Sequence, residues 1–364
     1  MNKGRAFQIA GLVIVCVSVV ILDFLVGFFN DTKIFRDVTY TFRSEVASLN
    51  TTTNHLAPNL RDVYPIEDGF QDTPRLVRTD EYGLIIGPAG TSNGKDLIRI
   101  LFLGGSTTEN NEVDEAYRFP YLTAKILNER TNRQYYGVNA GVRGHTTQNS
   151  LNLYLNHPSP DIAVAKYVVV MHNINDRLRL AMFDSYKSTL KDRSLVTLDY
   201  SFNQFLGSLK SLWLWISFHS NILYLSDTVY AKYIGGLNGG NGIVNERTLD
   251  NHFDVNANHL GLYKKNIKTL VEVIRANKAV PILMTQPLGR DSLGQDKFND
   301  AMRSVANNEL IELIDLANEI KIVKNRDTLF FPDGIHFNNK GSMLASSLIA
   351  AHLKKLLASA EARR

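Results

Sequence analysis

Short runs of consecutive apolar residues alternate with longer stretches of helical periodicity over most of the chain after residue 75. A run in which every residue is apolar is typical of a strand buried on both faces of a parallel sheet, whereas apolar positions that recur every three or four residues are typical of an amphipathic helix. The pattern predicts strands at residues 97–103, 135–139, 167–171, 280–285 and 310–316. It predicts helices at residues 117–130, 147–157, 259–276, 298–307 and 341–357. Because strands alternate with helices, we expect an α/β fold whose parallel sheet is covered on both faces.

This alternation is interrupted between about residues 179 and 258. The interruption contains a stretch rich in leucine, phenylalanine and tryptophan (202–224) and a glycine-rich stretch (235–242). We interpret it as a helical insertion that packs on the sheet. Its tryptophans, Trp213 and Trp215, leave two other roles open: a lid over a site, or a surface that rests on a lipid bilayer.

The N-terminal segment differs in composition from the rest of the chain. Residues 7–29 carry a single charge, Asp23. A helix of this length spans about 34 Å, which is enough to cross a hydrocarbon core of about 30 Å. Lys3 and Arg5 precede the segment, and positive charge on that side places the N-terminus in the cytoplasm. We therefore expect an uncleaved transmembrane anchor, with a cleavable signal peptide as the alternative.

These patterns divide the chain into three parts. We expect a cytoplasmic tip and transmembrane anchor over residues 1–30, a juxtamembrane segment and linker over residues 31–74, and a folded domain with the insertion over residues 75–364. The protein is then a single-pass membrane protein whose domain lies in the periplasm or outside the cell.

Composition and charge exclude several classes of protein. The 364 residues are 44% hydrophobic and 21% charged, which is ordinary for a globular chain and excludes wholesale disorder. The formal net charge is only +4, and no block of Lys and Arg accompanies it, so we expect no nucleic-acid partner. Cys16 is the one cysteine, which excludes an intramolecular disulfide and a cysteine-rich metal site.

Residues with potential chemical roles follow several of the predicted strands. Ser106 comes after the first strand, Gly144 after the second and Asn175 after the third. Asp333 and His336 lie just before the last helix. Because ligands of an open parallel sheet bind beyond the carboxyl ends of its strands, we expect these residues to meet at one edge.

These residue types suit nucleophilic catalysis. A serine hydroxyl becomes a good nucleophile when an imidazole takes its proton, and the imidazole needs its other nitrogen held by an acceptor. The spacing of Asp333 and His336 lets the carboxylate reach Nδ1 while Nε2 faces outward. The backbone N–H groups of Ser106 and Gly144, with the amide of Asn175, can cradle an oxyanion.

Each feature also has a structural interpretation when taken alone. Ser106 and Glu109 match a helix capping box. Asn175 fits a turn or a cap, and Asp333 with His336 fits a surface pair.

The remaining histidines have structural interpretations. His145 and His172 border the residues that can cradle an oxyanion, and we interpret both as pocket wall or as structural histidines. His252, Asp254 and His259 lack the spacing of a zinc motif. We therefore expect neither a metal nor another cofactor.

Four short blocks carry a family resemblance. They are Gly104-Gly105-Ser106, Gly144, Asn175-Asp176 and Asp333-x-x-His336. In residue type and order they resemble the signature blocks of the SGNH (GDSL-type) hydrolase superfamily, and the similarity runs from about residue 97 to residue 357. The resemblance implies a flavodoxin-like three-layer α/β/α sandwich with a parallel sheet, the SGNH hydrolase fold, preceded in this chain by one transmembrane helix.

The resemblance also implies a role for each site residue. Ser106 is expected to be the nucleophile, His336 the general base and Asp333 the acid that orients it. Ser106, Gly144 and Asn175 are expected to supply the oxyanion donors, and the family needs no metal. Two positions depart from the family pattern: Gly105 replaces the usual aspartate, and Asn173 replaces a usual glycine.

We expect a serine esterase or acyl hydrolase that acts outside the cytoplasm, on O-acyl groups of envelope polysaccharide or on lipid. A carbohydrate O-acyltransferase with the same triad is the alternative, and a non-catalytic anchored binding protein is a third hypothesis. The expected partners are the acylated carbohydrate or lipid substrate and the membrane, through the N-terminal helix. A membrane protein that delivers acyl groups is a further candidate partner.

Overall fold

In the computed structural model, residues 56, 58–64, 75–88, 90, 97–186 and 255–362 are described. They belong to the unit formed by residues 50–186 and 244–364. The predicted membrane segment (7–29) and the interior of the predicted insertion lie outside the described residues, as do Trp213, Trp215, His252 and Asp254. Within the described ranges, none of the helices combines the length and the apolar composition needed to cross a membrane.

A small antiparallel sheet precedes the main sheet along the chain. Its strands are β1 (Arg61–Tyr64) and β2 (Arg75–Arg78). β1 lies in the stretch that the sequence assigns to a linker (31–74), where charged residues obscure the strand pattern. The Arg78 guanidinium donates to the Glu115 carboxylate through Nε at 2.8 Å and through Nη2 at 2.9 Å. This ion pair joins β2 to the part of the chain that forms the main sheet.

The main sheet is parallel throughout. Its strands are β3 (Ile98–Gly104), β4 (Tyr135–Gly141), β5 (Tyr167–Met171), β6 (Val280–Met284) and β7 (Glu312–Ile314). They lie in the order β4-β3-β5-β6-β7. If β3 is counted as the first strand of this sheet, the order becomes 2-1-3-4-5, which is that of flavodoxin-like folds. The expected parallel α/β architecture is confirmed. The strand order reverses between β3 and β5, where sheets of this kind bind their ligands.

Helices cover both faces of this sheet. They are α1 (Ser106–Glu109), α2 (Phe119–Arg130), α3 (Thr147–Asn156), α4 (Pro160–Ala163), α5 (Ile174–Phe183), α6 (Ala257–Ala276), α7 (Leu293–Asn308), α8 (Leu316–Lys321) and α9 (Asn339–Ala362), with short 3₁₀ helices at Glu115–Tyr117 and Arg326–Leu329. Along β3, Leu101 and Leu103 are buried in one core with α6 and α7. Ile100 and Phe102 are buried in a second core with α2 and α9. The alternation along one strand therefore fills two cores and produces three layers.

Several elements begin or end elsewhere than the pattern predicts, and two of these differences have a local cause. α7 begins before residue 298 because Ser292 caps it, its Oγ accepting from a backbone N–H at 3.3 Å. β7 is shorter than the predicted 310–316 because Leu310 has a φ of 51°, which turns the chain away from extended geometry.

We predict that Phe119→Ala lowers the free energy of unfolding by about 3–5 kcal/mol. Phe119 is fully buried, and its ring meets Phe102 and Phe337 edge-on at centroid distances of 5.9 and 6.5 Å. Urea unfolding followed by circular dichroism measures the loss. Leu293→Ala is the control, because Leu293 is 81% exposed and its loss is expected to stay within about 0.5 kcal/mol. Equal losses in the two variants would contradict this account of the core.

Candidate active site

Ser106, His336 and Asp333 form one hydrogen-bonded chain. His336 Nε2 lies 2.8 Å from Ser106 Oγ, and His336 Nδ1 lies 2.5 Å from Asp333 Oδ2. The Asp333 side chain is only 6% exposed and that of His336 is 17% exposed. In this arrangement the imidazole can take the serine proton through Nε2 while its Nδ1–H donates to the carboxylate.

Helix α1 presents Ser106 at the end of β3. Ser106 is the first residue of the helix, and the Gly105 carbonyl before it accepts from the N–H groups of Thr108 at 3.0 Å and Glu109 at 2.9 Å. The N-cap is thus Gly105, and none of the described side chains caps the helix. The capping box that Ser106 and Glu109 match in the sequence does not form, and the serine hydroxyl lies against His336 instead.

The loop before α9 fixes the histidine. Asp333 Oδ1 accepts from the N–H groups of Ile335 at 2.9 Å and His336 at 3.1 Å, which leaves Oδ2 for the imidazole. Phe337 then stacks on Phe330 with a centroid distance of 4.8 Å. Asp333 and His336 are therefore held by backbone and core contacts rather than paired on the open surface.

The charges around the imidazole favour its protonated form. Burial alone would raise the pKa of Asp333, but the hydrogen bond and charge of His336, with the two backbone N–H groups, hold that pKa below its ordinary value. Burial lowers the pKa of His336, and the charge of Glu112 together with the hydrogen bond and charge of Asp333 outweighs it, so the net direction is upward. Asp333 thus stays ionised, and His336 is a stronger base than an isolated histidine.

Gly144 lies in the turn after β4 and Asn175 in the first turn of α5, and these two segments are hydrogen-bonded to each other. Gly144 has a φ of 76° in a turn in which the His145 N–H donates to the Val142 carbonyl at 3.0 Å, and this left-handed position favours glycine. The Val142 N–H donates to Gly104 at 3.1 Å, which joins the turn to the end of β3. Asn175 Nδ2 donates to the His145 carbonyl at 3.0 Å. The structure therefore places both Gly144 and Asn175 beside the end of β3, where Ser106 lies.

Residues 102–344 match the GDSL-like Lipase/Acylhydrolase family, and this range is about two thirds of the 364-residue chain. The chain belongs to this family. The matched range contains Ser106, Gly144, Asn175, Asp333 and His336. Among curated proteins, none matches the chain.

Solved structures with similar folds share little sequence with this chain. The lipase/acylhydrolase from Enterococcus faecalis is 16% identical, with 71% of this chain and 96% of that chain covered and a TM-score of 0.44. A GDSL-like lipase from Bacteroides thetaiotaomicron is 14% identical, with coverage of 75% and 93% and a TM-score of 0.36. A variant of an acetyl xylan esterase from Geobacillus stearothermophilus is 12% identical, with coverage of 71% and 93% and a TM-score of 0.40.

The two departures from the family pattern have different explanations. A Cβ at Gly105 would lie 2.3 Å from Asn175 Nδ2, so the glycine leaves room for the asparagine amide beside the nucleophile position. Asn173 has a φ of −168°, an extended value that any residue adopts, so no glycine is needed there. Its Nδ2 donates to the Gln295 carbonyl at 3.0 Å and to Asn299 Oδ1 at 2.9 Å, which joins the end of β5 to α7.

The two histidines that border the oxyanion residues lie behind the site. His172 is 1% exposed, with Nε2 2.8 Å from Ser150 Oγ, and burial, followed by the charge of His145, lowers its pKa to about 3. It is therefore neutral at physiological pH. His145 is equally buried, and its backbone carbonyl orients Asn175.

His259 belongs to a helix cap. It forms a capping box with Asn256 at the start of α6, and its Nε2 lies 2.6 Å from Asp184 Oδ1. Across the described ranges, no three His, Cys, Asp or Glu side chains group in a way that could hold a metal ion.

Glu112 is a residue that the sequence reasoning missed. It is 2% exposed, and its Oε1 lies 3.7 Å from His336 Nε2. The sequence feature that could have indicated it is the acidic segment 109–115, directly after the serine block. Such a run normally indicates a solvated surface, so its burial is visible only in the fold.

We predict that Gly105→Ala lowers kcat about 10²- to 10³-fold, because the new methyl group displaces the Asn175 amide and removes one oxyanion donor. Hydrolysis of p-nitrophenyl acetate measures the loss, and circular dichroism checks the fold. Gly261→Ala is the matched control, because no atom of the described part of the chain lies within 4 Å of a Cβ at that position in α6. An unchanged kcat in the Gly105 variant would exclude Asn175 as a donor.

Proposed function

We propose that the protein is a serine esterase that cleaves carboxylic esters through an acyl-Ser106 intermediate. The observation that carries the proposal is the continuous hydrogen-bonded chain from Ser106 Oγ through His336 to Asp333. Membership of a lipase/acylhydrolase family supports hydrolysis as the reaction. A non-catalytic binding protein would have no need of this chain.

Acylation follows from the geometry. His336 Nε2 takes the proton of Ser106 as Oγ attacks the ester carbonyl carbon, and Asp333 stabilises the imidazolium through Nδ1–H. The oxyanion accepts hydrogen bonds from the Ser106 and Gly144 N–H groups and from the Asn175 amide. The C–O bond of the ester then breaks, and the imidazolium gives its proton to the leaving alkoxide.

Deacylation repeats these steps with a new nucleophile. In hydrolysis, His336 takes a proton from water as the water oxygen attacks the acyl carbon. The bond to Ser106 Oγ then breaks, the imidazolium returns the proton to Oγ, and the acid is released. In an O-acyltransferase, a sugar hydroxyl takes the place of water and forms a new ester. Incubation of the full-length protein with an acyl donor and excess carbohydrate, followed by mass spectrometry, separates the two reactions by their products.

The proposed substrates are O-acyl groups of envelope polysaccharide or of lipid. The sequence of residues 7–29 supports this choice, because a transmembrane anchor with a cytoplasmic N-terminus exposes the domain outside the cytoplasm. A membrane-held enzyme meets acylated polymer and lipid at the surface where it is anchored.

We predict that a fluorophosphonate probe labels the full-length protein and that Ser106→Ala abolishes labelling. The probe reacts with a serine activated by an imidazole, whichever acceptor takes the acyl group afterwards. Gel fluorescence and peptide mass spectrometry identify the labelled residue. Ser347→Ala on the exposed side of α9 is the control and is expected to label normally. A folded protein that stays unlabelled would contradict the esterase proposal.

We predict that Asp333→Asn lowers kcat about 10³- to 10⁴-fold while leaving the fold intact. The amide oxygen of asparagine can still accept from the N–H groups of Ile335 and His336, but its NH₂ group cannot accept from the imidazole Nδ1–H. The imidazole then adopts the wrong tautomer. Asp327→Asn, an exposed aspartate in the preceding 3₁₀ helix, is the control. Near-normal turnover in the Asp333 variant would exclude the triad as drawn.

A further inference from the structure

Glu112 faces the catalytic histidine from the side opposite Asp333. Its Oε1 lies 3.7 Å from His336 Nε2, the atom that contacts Ser106 Oγ at 2.8 Å. Its Oε2 is buried and has no hydrogen-bond partner among the residues that the structure describes. A carboxylate oxygen is thus placed at the nitrogen that transfers the proton.

The turn after α1 holds Glu112 in this position. Asn110 ends the helix with a φ of 56°, and its N–H donates to the Ser106 carbonyl at 2.8 Å. Its Oδ1 accepts from the Phe119 N–H at 3.1 Å. Glu112 therefore follows a turn that is bonded both to the serine helix and to the start of α2.

Within the described ranges, two arginines act on the buried Glu112 carboxylate through their charge. Arg143 Nη2 lies 3.3 Å from Oε1, but the Arg143 side chain is 49% exposed, so solvent weakens this pair. Arg118 is 1% exposed and acts on the same cluster through its charge, as does the carboxyl of Glu109. A carboxylate that is 3% exposed is stabilised by a further positive charge, and protonation of His336 supplies one at 3.7 Å.

We propose that Glu112 is a positioning residue for His336, which stabilises the imidazolium from the Nε2 side while Asp333 stabilises it from the Nδ1 side. This inference rests on the proposed esterase mechanism. When the Ser106 O–H bond breaks and the Nε2–H bond forms, the new cation lies between two carboxylates. The proton leaves Nε2 again when the alkoxide of the ester departs.

The charges predict how the histidine titrates. Burial lowers the pKa of His336, and the charge of Glu112 is the largest of the causes that raise it, ahead of the hydrogen bond and charge of Asp333, whereas Arg143 acts in the lowering direction. Burial also raises the pKa of Glu109 to about 7, so Glu109 titrates in the same range. The protonation of His336 must therefore be measured directly, because the pH dependence of activity also reflects Glu109.

The experiment compares two variants of the full-length protein that are expected to shift the pKa of His336 in opposite directions. Glu112→Gln removes a negative charge, so His336 should lose its proton at lower pH, and the ratio of fluorophosphonate labelling rates at pH 6 and pH 8 should rise about threefold or more. Arg143→Gln removes a positive charge, so His336 should keep its proton to higher pH and the ratio should fall. NMR of ¹³C-labelled histidines, assigned with His336→Gln, follows the titration directly.

Glu115→Gln is the matched control, because Glu115 is also a buried carboxylate but pairs with Arg78. It is expected to leave the His336 titration unchanged. Opposite shifts in the Glu112 and Arg143 variants support the proposal, since a merely structural role would not reverse sign. If Glu112→Gln does not fold, Glu112→Asp takes its place: the shorter side chain moves the negative charge away from His336, and a smaller shift of the same sign is expected.

The proposal is overturned if His336 titrates in both folded variants as it does in the unaltered protein. Absence of labelling in the unaltered protein would instead overturn the esterase mechanism, because the NMR titration does not depend on Ser106 being a nucleophile. The two failures are therefore distinguishable.

Discussion

The hydrogen bond between Ser106 and His336 joins residues that are 230 positions apart in the chain. Ser106 is fixed by the end of a strand that lies inside the sheet, between two neighbours. His336 is fixed by a loop whose next residue, Phe337, packs in the core beneath α2 and α9. The 2.8 Å distance therefore depends on aromatic packing on one face of the sheet, and loss of that packing is expected to disturb the site as well as stability.

The oxyanion side of the site is supported in a different way. Polar side chains bond the segment after β4 to the start of α5. Asp176 is fully buried and accepts from Thr147 Oγ1 at 2.6 Å and from Tyr186 OH at 2.5 Å, and the Asn175 amide donates to His145. Such a network is sensitive to the loss of any one member, because a remaining buried polar group is then left unpaired.

Much of the fold and of the candidate site was predictable, because both follow from local patterns. The strand at Tyr167–Met171 is a continuous apolar run, and the carboxyl ends of parallel strands necessarily share an edge, so the meeting of Ser106 and Asn175 could be expected. His336 follows a 3₁₀ helix rather than a strand of this sheet, so its position beside Ser106 was expected from the family resemblance. The structure shows that they meet, and their catalytic roles remain a prediction. Glu112 could not be found in this way, since an acid in a turn is normally solvated. The backbone φ of −168° at Asn173 could not be predicted from its residue type either, because asparagine adopts many backbone conformations.

The close contact of Gly105 with Asn175 also limits how this sequence can change. The family's usual aspartate at this position brings a Cβ, and here that atom would lie 2.3 Å from the asparagine amide. An aspartate at position 105 therefore requires the Asn175 side chain, in the first turn of α5, to turn away from its present position. The two positions are coupled in this way, so a mutational path from this serine block to the family's usual one involves position 175 as well.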